Sequence, residues 1–108
     1  MDDWGRMSAA ALGRGIAAGR IDPVDLATAL LEKAQAHSEC DRIFARLTET
    51  RALAEAKAAR VRAKAGHRVG PLDGVPITWK DNFDTAGIVT EAGSALLEGR
   101  VPDRDAEV

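Results

Sequence analysis

A chain of 108 residues holds one small domain at most. Hydrophobic residues make up 45% but aromatics only 4%, so a core drawn largely from alanine returns little burial per residue. A net charge of −2 at pH 7 gives no electrostatic case for nucleic acid or an acidic membrane as partner, and no apolar run approaches the ~18 residues of a membrane span.

The start, Met1-Asp2-Asp3-Trp4, is acidic and lacks the basic-then-apolar order of a signal peptide. Ser8 is placed to cap a first helix over 9–18, with Leu12 and Ile16 on one face and Gly13 and Gly15 weakening it. Gly19 ends that helix. Asp22-Pro23 is a strong start signal, an N-cap followed by proline at the first helical position. Val24, Ala27, Leu30, Leu31 and Ala34 then recur at helical spacing. His37 lies near the predicted helix end, where a cation suits the macrodipole. Cys40 has no internal disulfide partner, which fits a reducing cytoplasm. Residues 43–47 alternate loosely and suggest a short strand. Thr48 is placed to cap a long helix over 49–65, with Ala52, Ala56, Ala59 and Ala63 as a small-residue stripe and Gly66 as its C-cap.

From Gly70 the texture changes. The run GPLDGVPITWKDNFD over 70–84 opens with a turn rich in glycine and proline and continues into apolar, β-branched residues. A strand is predicted over 75–80, a second extended piece over 88–90 and a helix over 94–98. The first strand ends on Lys80. A lysine at the mouth of an apolar strand is costly to desolvate, and burial lowers a lysine's pKa, which turns the amine into a base. Taken alone, such a lysine is more often a strand-end residue snorkelling to water. Asp81 reads as structural, and Asp84 before Thr85-Ala86-Gly87 reads as an Asx turn. Thr90 and Ser94 suit backbone hydrogen bonding in a loop. His37, His67 and Cys40 do not make a metal-ligand spacing, and 70–74 lacks the order of a phosphate loop. No metal and no cofactor are expected.

Four blocks in order, GPLDGVPITWKD, then TAG, then TEAGS, then DAEV, resemble the start of the amidase signature family. Its members read GPL-x-G-(I/V)-P-(I/V)-x-(V/F)-K-D, then (T/D)-x-G, T-x-x-G-S and D-A-x-V. The resemblance is specific over 70–108 and looser over 1–69, where only a helical pattern agrees. Trp79 is bulkier than the family's usual residue before the lysine. The family works through a Ser–cis-Ser–Lys set, and its lysine matches Lys80. Both family serines belong to a later Gly/Ser-rich stretch; the one glycine-serine pair here, Gly93-Ser94, matches the T-x-x-G-S block instead.

The resemblance implies an α/β fold: N-terminal helices over 1–69, then from 70–108 the start of a core whose strand joins a larger mixed sheet flanked by helices. It implies a serine acyl-enzyme cleaving a small-molecule amide, either in a hydrolase or in an amidotransferase A-type subunit. The 108 residues are expected to be inactive alone and to self-associate. The alternative from another class is a non-catalytic helical interaction module using 22–65, which amphipathic helices alone would suggest.

Overall fold

The computed structural model describes residues 3–108; the acidic start at Met1-Asp2 lies outside them. The chain divides into two compact units, one ending at Pro76 and the other spanning Ile77–Val108. No helix among the described residues is long and apolar enough to cross a membrane.

The first unit is helical. Helix α1 spans Ala9–Ala17, and Ser8 caps it by accepting a hydrogen bond from the Ala11 N–H at 3.1 Å. Helix α2 spans Pro23–Ala36, with the Asp22 carboxylate accepting from Val24 N–H at 2.8 Å. A single turn, α3, covers Cys40–Ile43. Helix α4 spans Glu49–Ala65 and ends at Gly66, whose φ of 74° supplies the left-handed cap a side chain would resist.

Leu12 and Ile16 of α1 meet Ile21 and Leu26 in one buried cluster, with Trp4, Leu30, Ala63 and Val75 packed around it. Helix α4 packs along α2, and Ala56 and Ala59 of the predicted stripe are buried. On α2 the expected face is half right: Ala27 is buried and Leu30 packs on the core, while the fully buried anchor is Leu26. The glycines of α1 do more than weaken it. A Cβ on Gly13 would overlap the Pro71 carbonyl oxygen, and one on Gly15 would press into Ile21. Their absent side chains let the Gly70–Pro76 turn and the α1–α2 connection approach the helix.

Several local expectations are corrected. Residues 43–47 form no strand, because Ile43 closes α3 with its N–H on the Glu39 carbonyl and the chain then runs irregularly. Thr48 precedes α4 but makes no side-chain cap bond. Residues 75–80 and 88–90 form no strand ladder; among the described residues the one strand-type pairing is the isolated bridge between Thr85 and Ile88. A strand exists only where a second backbone lies alongside it, and the second unit spends its backbone groups on loop-to-loop bonds. Gly87 N–H reaches Pro102 O at 2.9 Å, Thr90 N–H reaches Arg100 O at 2.9 Å, and Ala106 N–H reaches Asp84 O at 2.9 Å. The helix expected over 94–98 is a single 3-10 turn, Ala95–Leu97, capped by Ser94 Oγ accepting from Leu96 N–H at 3.2 Å.

Candidate active-site segment

In the first unit, the Gly70–Pro76 turn is fastened to α4. Both carboxylate oxygens of Asp73 are held by Arg62, at 2.8 Å from Nε and 2.7 Å from Nη2, and Val69 N–H adds a third bond at 3.1 Å. Arg68 donates to the Pro71 and Asp73 carbonyls at 3.2 and 3.1 Å. The Arg62 guanidinium, with help from Val69 N–H and against the cost of burial, lowers the Asp73 carboxyl to about 2. Nothing local in the sequence links a helix arginine to an acid in the next turn, so the pair is visible only in the folded chain.

In the second unit, Lys80 is exposed. Phe83 N–H donates to the Lys80 carbonyl at 3.1 Å, so the lysine opens a tight turn through Asp81 and Asn82. Around it stand apolar side chains left in solvent: Ile77 at 60% exposure, Trp79 at 54% and Phe83 at 39%. The Trp79 and Phe83 rings pack against each other in a tilted pair, centroids 5.5 Å apart. Asp81 offers its backbone carbonyl to Ala92 N–H at 2.7 Å.

The other predicted positions take structural parts. Asp84 directs its carboxylate to Arg100 in a bidentate pair, 2.6 and 2.9 Å. Bonding to Arg100 holds that carboxyl below the usual range. The Asx turn expected there is replaced: the Ala86 N–H goes to Asp105 at 2.8 Å instead. Thr90 is buried, with its hydroxyl near the Ile88 carbonyl at 3.4 Å. Ser94 serves as a cap. His37 Nδ1 accepts from Glu39 N–H at 3.0 Å, Cys40 is a free thiol, half-buried, and His67 continues the α4 cap by donating its N–H to Arg62 O at 2.8 Å. Among the described residues no three His, Cys, Asp or Glu side chains gather as a metal site. The structure thus brings the K-D block and the T-x-x-G-S block together through the backbones of Asp81 and Ala92, while the Lys80 side chain is exposed and the Ser94 hydroxyl caps its own turn.

Comparison with known proteins agrees with the ordered blocks. The family model Amidase matches residues 25–108. The A-type subunit of glutamyl-tRNA(Gln) amidotransferase from Streptomyces coelicolor is 38% identical over 108 residues, covering all of this chain and 22% of the relative. The protein of the same name from Anaeromyxobacter dehalogenans is 45% identical over 96 residues, 89% of this chain and 20% of the relative. That from Chloroflexus aurantiacus is 40% identical over 108 residues, again the whole chain and 22% of the relative. The chain spans about one fifth of the length of these curated relatives. With four ordered blocks, and a family model covering most of its length, the chain belongs to the Amidase family.

Proposed function

We propose that this chain carries the lysine of a serine-dependent amide-cleaving site, with Lys80 as the proton-transfer base and the serines supplied by residues outside this sequence. The observation that carries the reading is the position of Lys80 at the end of the G-P-L-x-G-V-P-I-x-x-K-D block, inside the residues the family model matches. A serine hydroxyl would attack the amide carbonyl, its proton passing through a bridging serine to the neutral lysine. The C–N bond would break to give an acyl-enzyme and an amine or ammonia, and water would then release the acid. Backbone N–H groups would hold the oxyanion.

A lysine works as a base only when its charged form is disfavoured by desolvation. The exposed Ile77, Trp79 and Phe83 beside Lys80 are the surface that further chain would cover, and covering them would dry the amine. In that setting residues 75–80 would pair as a strand of a larger mixed sheet. The relatives' names favour an amidotransferase-type subunit over a free-standing hydrolase; the resemblance to the family adds a small amide as substrate, and the lone Cys40 suits the cytoplasm as its compartment. Neither the charge balance nor the sequence pattern calls for a nucleic-acid or membrane surface on these residues, and the reading needs no cofactor.

The test is ammonia release from simple aliphatic and aromatic amides by the longest natural polypeptide carrying this sequence. Lys80→Ala is expected to remove nearly all turnover, and Lys80→Arg to do no better, since a guanidinium stays protonated near neutral pH. An active Lys80→Arg enzyme would overturn the assignment.

A further inference from the structure

We propose that Ala92 is the positioning residue for Lys80: its backbone, turned into the left-handed region, donates to the Asp81 carbonyl and fixes the direction in which the Lys80–Asp81 backbone leaves the apolar segment. The inference rests on Lys80 being the base, as proposed above.

Ala92 has a φ of +52°, and among the described residues it is the one non-glycine with positive φ. That conformation is unfavourable for a residue with a Cβ, so the surroundings must hold it. They do so from both sides. Thr90 is 4% exposed and its N–H bonds Arg100 O at 2.9 Å; Ser94 N–H bonds Glu91 O at 2.9 Å; and the Glu91 carboxylate accepts from Gly99 N–H at 2.8 Å. With the turn pinned at Thr90, Glu91 and Ser94, the Ala92 N–H is delivered to Asp81 O at 2.7 Å, the shortest backbone bond of the unit's loop network.

At the lysine end, Lys80 O accepts from Phe83 N–H at 3.1 Å. Two successive carbonyls, of Lys80 and Asp81, are therefore both tied, one locally and one through Ala92. Tying them sets the peptide planes that follow the lysine, and with them the direction of its Cα–Cβ bond. A general base must sit within hydrogen-bond reach of its proton, and a misplacement of about 1 Å costs roughly 100-fold in rate. Where residues 75–80 pair as a strand in the longer protein, that strand carries the chain up to the lysine, and Ala92 ties the backbone immediately beyond it.

The experiment compares Ala92→Val and Ala92→Gly in the longest natural polypeptide carrying this sequence, with ammonia release from propionamide as the assay. Valine, β-branched, resists positive φ; it is expected to lower kcat about 100-fold while KM stays within about two-fold. Glycine takes positive φ freely and is expected to return kcat to near the parent value. Arg100→Gln, in the same unit, controls for stability: it lowers the melting temperature without the kcat loss. In the 108-residue chain, a through-hydrogen-bond NMR coupling between the Ala92 nitrogen and the Asp81 carbonyl carbon is expected in parent and glycine variant and absent in the valine variant. A valine variant with parental kcat, equal kcat losses in valine and glycine variants, or no coupling in the parent would each overturn the proposal. If Lys80→Ala is inactive and Ala92→Val is not impaired, only the positioning role falls. If Lys80→Ala keeps turnover, the base assignment falls and takes this role with it.

Discussion

Arg62 on α4 grips Asp73 in the glycine-proline turn through both carboxylate oxygens, at 2.8 and 2.7 Å, and the aspartate side chain is only 4% exposed. Their partnership fastens the Gly70–Pro76 turn to the long helix that precedes it. Arg62 itself remains 36% exposed, so the pair has one end in solvent and one end buried. Removing the arginine leaves a buried carboxylate short of its main partner, which is the costlier of the two deletions.

Asp73→Asn is expected to destabilise the first unit by about 1–2 kcal/mol, the value of a shift of this size discounted for the solvated guanidinium. Circular dichroism melts check it. The sign with pH follows from the lowered carboxyl, about 2 against an ordinary 3.8. Its contribution is complete above pH 3.8 and is lost as pH falls from there toward 2. The parent should therefore lose stability across that window more steeply than Asp73→Asn; parallel acid curves would refute the pair's role.

Gly13→Ala offers better helix propensity yet is expected to destabilise. The new Cβ meets the Pro71 carbonyl oxygen, a backbone atom that cannot rotate away. Overpacking of that kind costs roughly 1–3 kcal/mol, more than the ~1 kcal/mol gained in propensity. Gly15→Ala meets side-chain atoms of Ile21, Cδ1 and Cγ1, which can shift where a backbone carbonyl cannot, and should cost less. Thermal melts of both variants decide; a Gly13→Ala chain more stable than the parent would show that the turn does not pack on α1.

Arg100→Gln removes the bidentate partner of Asp84. The Asp84 carboxyl, lowered chiefly by that hydrogen bond, is expected to move back up toward the ordinary carboxylate range. A carboxyl carbon NMR titration of parent and variant reads this directly. The Asp84 contribution to stability is present above its ordinary value and fades as pH drops through the lowered one, so the variant should show less acid sensitivity in the second unit.

The 108-residue chain by itself is expected to release no ammonia from simple amides and to self-associate. Its one glycine-serine pair ends in Ser94, whose hydroxyl is spent capping the Ala95–Leu97 turn. Ile77, Trp79, Leu96 and Val101 are more than half exposed, enough apolar surface to favour association. Sedimentation velocity across a concentration series, together with the ammonia assay, is the check. Turnover that disappears in Lys80→Ala, or a monodisperse monomer at every concentration, would contradict the expectation.

The helices were legible in the residues themselves. Ser8, Asp22-Pro23 and Gly66 mark ends through bonds made within one turn of chain, so local chemistry suffices to place them. The ordered blocks around Lys80 likewise carried the family, because they are a matter of residue order alone. The tertiary structure decided what depends on partners distant in sequence. It put Leu26 at the centre of the core, and it showed Gly13 as a place of close approach to Pro71. It joined Arg62 to Asp73, and among the described residues it left 75–80 without strand pairing. Ala92 is the plainest case. Its sequence neighbours make it an ordinary small residue, and only the loop network that bends it to +52° sends its N–H to the carbonyl beside Lys80. Hydrogen bonds within a turn are written in the local sequence; those that cross between turns exist only once the chain has folded.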